Sequence, residues 1–370
     1  MDVTKVLLVF GGRSSEHSIS CLSAANVDAA LRAAGHETLL VGITREGRWT
    51  LLEQVPPASQ SAPLPEVPPD GPTVLLTQSV HGPRLLQVDD RDTPVRLQVD
   101  LGPIDVAFPV VHGEHGEDGT VQGLFASLGV PYVGADVAAS AVGIDKRQMK
   151  AALTSYGLPQ LPYHTVRRLD WDESPDDALD RVEIALGFPV FTKPTRQGSS
   201  IGISRCEDRD ELAKGLAEAF QYDREVIVEQ GLSQVRELEC GILGNAVPEV
   251  TRPGELTHTG SYYDFDAKYL SQVELTCPAD VPELIAQRCQ LFAREAFLGI
   301  GARGMARVDF FYLPEEDTVL VNEINTIPGM TDQSMFWWVW DAEGVGRPQL
   351  VDRLLSLALE VEDAAQHWAP

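Results

Sequence analysis

Positive charge is scarce in this 370-residue chain: 29 lysines and arginines stand against 55 aspartates and glutamates, a formal net charge of −26. With no basic surplus there are few counterions to release from a nucleic-acid backbone, which argues against nucleic acid as a partner. An anionic ligand needs a locally basic pocket, or a metal ion, inside an acidic shell; elsewhere the acidity serves solubility. Cysteine is sparse as well. Cys21, Cys206, Cys240, Cys277 and Cys289 are scattered with no C-x-x-C pair, so neither a zinc knuckle nor a redox motif is indicated, and reduced cytosolic thiols fit. The opening MDVTKVLLVFGG lacks a basic stretch ahead of a long apolar run, and no run is long enough to span a bilayer. We therefore expect no signal peptide, no membrane partner and a cytoplasmic location. No period of about 20–50 residues points to a repeat protein, and neither a Walker A pattern nor G-x-G-x-x-G is present. What remains, 44% apolar and 23% charged residues, reads as a soluble α/β chain of two or three domains.

Periodicity orders the elements. Lys5 to Phe10 is a continuous apolar run before two glycines, the pattern of a buried parallel strand, followed by a helix from Ile19 to Ala34 and a strand from His36 to Thr44. This β-α-β opening predicts an open α/β domain with ligands at the carboxyl ends of its strands. Gln54 to Pro72 reads as loop or insertion, and Leu85–Val88 with Val95–Val99 as a hairpin. Ile104 to Val111 is a strand and Thr120 to Leu128 a helix. A second unit from about Ala135 holds a helix (Lys146 to Tyr156), a strand (Phe188 to Pro194), a helix (Arg209 to Phe220) and a strand (Glu225 to Gln230). A third holds hairpins at Glu237–Leu243/Ala246–Val250 and Ala306–Leu313/Thr318–Glu323, with helices at Val281 to Leu298 and Leu350 to Glu360. The expected boundaries are 1–134 (with an insertion at about 54–99), 135–232 and 233–370.

Five stretches carry chemistry. In FGGRSSEHSIS a strand runs through two glycines into a helix, a natural anion site. Glu16 is out of place there, and taken alone it reads as a first-turn acid complementing the helix dipole. In FTKPTRQGSSIGIS a strand delivers Lys193 beside a flexible Gly-Ser-Ser loop, which suits a phosphate chain better than an ordinary exposed lysine and a linker. REVIVEQ, ending in Glu229, resembles many core strands and also offers backbone groups to a flat heterocycle. Period-two alternation puts Arg307 and Asp309 on one face of MARVDFF, and Glu323 and Asn325 on one face of VNEINTIPG. Three oxygen donors without His or Cys select a hard cation, Mg²⁺ or Mn²⁺; the competing reading is a surface ion pair. The Thr-Ile-Pro-Gly turn should bring the N–H groups of Gly329 and Met330 to the reacting centre. SYYDFDAKYLS is aromatic and polar with little periodicity, equally a flap or a solvated loop.

In order along the chain, GGRSSEHSIS, VVHGEHGEDGTVQG, GIDKRQMK, FTKPTRQGSS, VIVEQ, YYDFDAKY, ARVDF and NEINTIPGMTDQS resemble the D-alanine–D-alanine ligases of the ATP-grasp superfamily, from about Lys5 to Leu359. The resemblance implies a three-domain ATP-grasp fold with ATP gripped between the central and C-terminal domains. It implies Lys146 and Lys193 on the ATP phosphates, Glu229 and Gln230 by the adenine, Glu237 by the ribose, and Lys268 reaching the γ-phosphate. Asp309, Glu323 and Asn325 would bind two Mg²⁺ or Mn²⁺ ions. Glu16 would take the ammonium of the first D-alanine and form a trio with Ser199 and Tyr269. His112 and Tyr263 would lie at the substrates, and Ser334 would receive the second carboxylate. Arg307 and the Gly329 N–H would stabilise a tetrahedral oxyanion. Tyr269 matches dipeptide-forming rather than D-lactate-using relatives, although another D-amino acid dipeptide or D-alanyl-D-lactate is the alternative product. Gln230 stands where some relatives carry lysine. Homodimers are the habit of the family. A non-catalytic nucleotide sensor on the same scaffold should have lost a phosphate lysine or a metal ligand, and none is missing here.

Overall fold

The computed structural model describes residues 3–57, 64–91, 93–232, 234–257 and 274–367. Within them the strands gather into three sheets, met in turn along the chain. The first contains β1 (Lys5–Gly11), β2 (Glu37–Ile43), β3 (Trp49–Leu52), β4 (Thr73–Ser79), β5 (Gly82–Asp89), β6 (Arg96–Pro103) and β7 (Val106–Pro109), in the order β6-β5-β4-β3-β2-β1-β7. β1 pairs parallel with β2 and β7, and the added strands run antiparallel. Helix α1 (His17–Ala33) connects β1 to β2, and α2 (Thr120–Ser127) follows β7. The unbroken apolar run of β1 now has its cause. Val6, Leu8 and Phe10 enter a core shared with α1 and the closing helix, while Leu7 and Val9 enter the core that includes Val121 and Phe125 of α2. A strand covered on both faces has no polar side.

The segment expected as a loop and hairpin is more than that. Its hairpin is β5–β6, pairing Val88 with Leu97, but β4 joins it, and the three strands extend the first sheet through β3. β3 is only four residues long and β4 alternates Val74 (buried) with Leu75 (exposed) for little more than one repeat, too short a pattern to stand out.

The second sheet contains β8 (Tyr163–Arg167), β9 (Val190–Pro194), β10 (Ser204–Cys206) and β11 (Glu225–Gln230), antiparallel in the order β10-β9-β11-β8. Helices α3 (Val137–Ile144) and α4 (Lys146–Ser155) lead into it, and α5 (Arg168–Glu173), α6 (Pro175–Leu186) and α7 (Arg209–Ala219) belong to the same stretch of chain. The third sheet contains β12 (Arg236–Gly244), β13 (Glu249–Val250), β14 (Gly254–Thr257), β15 (Glu274–Thr276), β16 (Gly304–Leu313) and β17 (Thr318–Asn325), ordered β15-β14-β12-β16-β17 with β13 on β12. Helix α8 (Glu283–Gly299) packs on this sheet, and α9 (Met335–Ala342) and α10 (Arg347–His367) end the described chain. Trp337, Leu350, Leu354 and Leu355 share one core with Val6, Phe10, Val27 and Leu31, so the last helices bind the third sheet to the first. That packing brings the turn after β17 against α1.

Candidate active site

Strand register builds the acidic end of the site. Asp309 on β16 lies opposite Glu239 on β12 and Glu323 on β17, while Arg307 lies opposite Asn325. Alternation then puts Glu239, Arg307, Asp309, Glu323 and Asn325 on one face. The Arg307 guanidinium donates to both Asp309 oxygens (2.7 and 2.6 Å) and sits 2.9 Å from Glu239 Oε2. Burial alone would lower its proton affinity, but Asp309 and Glu239 hold it firmly charged. Asn325 Nδ2 donates to Asp309 Oδ2 at 3.1 Å. Among the described residues no three His, Cys, Asp or Glu side chains stand close enough together to hold a metal. The donor set nevertheless fits a hard cation: two carboxylates and an amide, each able to present oxygen, with no soft ligand among them. Glu239, one alternation beyond Glu237 in RELEC, was not anticipated, though the period-two pattern contained it.

The basic wall comes from α4 and β9. Asp145 caps α4, accepting from the N–H groups of Arg147 and Gln148, both at 3.1 Å. Lys146 Nζ donates to Gln197 O (2.7 Å) and lies 3.9 Å from Glu323 Oε2. Lys193 Nζ is 2.5 Å from Glu229 Oε2, and Lys150 Nζ is 2.6 Å from Glu229 Oε1. Burial would raise the Glu229 carboxyl, yet the two ammonium groups bring it down to about 2. Lys193 is raised in turn, because Glu229 outweighs the effect of its burial. Lys150 was missed, although KRQMK places it one helical turn from Lys146. The exposed Gln230 donates its backbone N–H to Pro162 O at 3.0 Å. Glu237 lies opposite Phe311, on the face of β12 that carries Glu239.

The third wall lies at the carboxyl ends of β1 and β7. Glu16 precedes α1, but its side chain makes no cap bond; its carboxylate accepts a hydrogen bond from the Ser199 hydroxyl, 183 residues away. The first-turn reading of Glu16 is therefore replaced by a long-range contact. Ser199 and its neighbour Ser200 hold φ of 50° and 59°, unusual for residues with a Cβ and costly in backbone energy. Gly113, beside Glu16, holds φ 73°, a conformation that residues with a Cβ rarely adopt. His112 is buried, with Nδ1 3.3 Å from Glu117 Oε1 and Nε2 2.9 Å from Ser23 Oγ. Burial would lower its pKa, but the hydrogen bond and charge of Glu117, together with Glu16, raise it.

The turn after β17 requires one correction. The Met330 N–H does not face a reacting centre: it donates to Ser23 Oγ at 3.2 Å, and the Met330 side chain is buried. The docking of α1 engages this amide, since Asn26 Nδ2 also donates to Met330 O at 3.0 Å. Ser334 immediately precedes α9, and its Oγ accepts from the Thr331 N–H at 2.9 Å. Tyr263, Lys268 and Tyr269 lie outside the described residues. One cavity of about 990 Å³ is lined by Glu16, His112, Lys146, Ser199, Glu239, Arg307, Glu323, Asn325, Gly329 and Ser334. Lys193, Glu229 and Asp309 stand behind this lining through the contacts given above.

Residues 5–135 match the family model described as D-ala D-ala ligase N-terminus, and residues 152–356 match D-ala D-ala ligase C-terminus. A D-alanine–D-alanine ligase of Kineococcus radiotolerans is 46% identical over 367 residues, 96% of each chain. Among solved structures, the D-alanine-D-alanine ligase from Coxiella burnetii is 32% identical with a TM-score of 0.78, covering 98% of this chain and 97% of its own. The VanG D-Ala:D-Ser ligase from Enterococcus faecalis is 29% identical with a TM-score of 0.79, covering 96% and 100%.

Proposed function

Since the chain belongs to the D-alanine–D-alanine ligase family and has its ATP-grasp fold, we propose how its own residues carry out the family's reaction. That reaction is the ATP-dependent joining of two D-alanines to D-alanyl-D-alanine. The dipeptide serves as a peptidoglycan precursor, made in the cytoplasm where ATP is available. No helix among the described residues is long and apolar enough to cross a membrane. The observation that carries the assignment of roles is one cavity in which strands of the third sheet meet α1 and the loops that follow β7 and β9. The proposed domain boundaries are 1–134, 135–232 and 233–370.

A carboxylate is a poor electrophile, so the first D-alanine must be activated, and an acyl phosphate is the form ATP supplies. Lys146 and Lys193 hold the phosphate chain as point charges, joined by Lys268. Glu229 and Gln230 face the adenine, and Glu237 the ribose. Glu16 binds the ammonium of the first D-alanine, while its bond to Ser199 fixes the carboxylate and Tyr269 completes the trio. His112, whose pKa is raised by the hydrogen bond and charge of Glu117 against the effect of burial, and Tyr263 orient the substrates. Ser334, immediately before α9, receives the second carboxylate, so that the free amine of the second D-alanine faces the activated carbonyl. Arg307 and the Gly329 N–H stabilise the oxyanion formed by its attack. Mg²⁺ or Mn²⁺ ions held by Asp309, Glu323 and Asn325 would supply neutralisation of charge on the transferring phosphoryl.

A coupled assay of ADP release with Mg·ATP and D-alanine tests the assignment; absence of D-alanine-dependent turnover would overturn it. The structural likeness to a D-Ala:D-Ser ligase makes acceptor choice a separate question. We expect D-alanyl-D-alanine to dominate when D-alanine, D-serine and D-lactate compete at neutral pH, read by mass spectrometry of the products. The proposed homodimer should sediment with twice the 40.4 kDa chain mass.

A further inference from the structure

Lys150 is a buried cation that the roles above leave unused. Only 1% of its side chain is exposed, a state lysine rarely reaches without a partner. Its partner Glu229 is 2% exposed and is shared with Lys193, of which 13% is exposed. The three residues come from α4, β11 and β9, and the Lys150 ammonium also lies 5.5 Å from the centroid of the Tyr163 ring on β8. Two ammonium groups thus share one carboxylate, and only one of them is accessible. If the accessible lysine turned to an incoming phosphate, a lone buried carboxylate would hold it back, because a buried charge without a partner is strongly unfavourable. A second, fixed cation removes that obstacle.

We propose that Lys150 is a positioning residue for nucleotide binding: it keeps Glu229 paired, so that Lys193 can pass from Glu229 to an ATP phosphate. The inference rests on Lys193 being a phosphate ligand. In Lys150→Met, Glu229 has Lys193 as its sole cation among the described residues and retains it. We expect the KM for ATP to rise about tenfold, the scale of one charge-assisted hydrogen bond, with the KM for D-alanine changed by less than about twofold. Lys150→Arg keeps a second cation beside Glu229, so it should recover at least about threefold in KM for ATP relative to Lys150→Met. A role in stability alone would lower the melting temperature and leave the KM for ATP unmoved. That result, or a Lys150→Arg variant no better than Lys150→Met, overturns the proposal. Should Lys150→Met fail to fold, Lys150→Gln decides: a KM for ATP raised about tenfold supports the exchange, and a KM within about threefold of the parent rejects it. Lys193→Met is the control for the premise. If its KM for ATP is unchanged, Lys193 is not a phosphate ligand, and the fault lies there rather than in the ion triad.

Discussion

At the scale of single residues, the site is a set of charges that would be unstable apart. Arg307 is held between Glu239 and Asp309, and Glu229 between Lys150 and Lys193. Buried pairs of this kind add little net stability when complete, but each becomes costly when one member is removed. Two expectations follow from that asymmetry. Asp309→Ala leaves Arg307 its contact with Glu239, so the fold should survive while ADP release falls more than about a hundredfold; unchanged turnover would remove Asp309 from the reaction. Glu229→Gln strands the buried Lys150 ammonium and takes the partner from Lys193, and should cost about 3–5 kcal/mol at pH 7. The Glu229 carboxyl lies at about 2 in the fold against an ordinary 4.5. A carboxyl depressed in this way contributes its full stability above the ordinary value and loses it as the pH falls toward the folded value. Urea unfolding should therefore show the gap between parent and variant narrowing from about pH 4.5 downward, and a gap that stays constant to pH 3 would reject the ion triad as its source.

At the scale of elements, α4 aims chemistry into the cleft. Its first turn carries Lys146, its second carries Lys150, and Asp145 fixes where the helix begins. We expect Asp145→Ala to lower stability by about 0.5–2 kcal/mol through the lost cap, and to raise the KM for ATP because both lysines shift with the helix. Calorimetry together with ATP kinetics checks this, and a loss of stability without a change in KM would confine Asp145 to capping. The strands delivering Lys193, Glu229, Arg307, Asp309 and Glu323 were legible in the sequence because their apolar alternation is strong. The strands β3, β4, β8, β10, β14 and β15 and the helices α3, α5, α6 and α9 were not. They carry no clear run or period of apolar residues between turn signals, and they form because the neighbours they pack against leave a place for them.

At the scale of the whole molecule, the third sheet, α1 and the loops after β7 and β9 line one cleft, and α1 and α10 pack together. A ligand that touches several walls should bind the native form alone. Mg·ADP at about one hundred times its dissociation constant should therefore stabilise the protein by about 2.7 kcal/mol, with a further rise in melting temperature when D-alanine is added. A melting temperature indifferent to both would contradict a shared cleft. The sequence alone determined the strong strands, the hard-oxygen donors and the order of the motifs, because alternation and residue chemistry are local properties of the chain. Only the tertiary structure decided that Ser23 takes the Met330 amide and that Lys150 and Lys193 share Glu229, while it joined Glu16 to Ser199 as the family resemblance implied rather than leaving Glu16 to its own helix. Those choices are made by contacts between residues tens to hundreds of positions apart, where burial makes the partner that folding brings near more favourable than water.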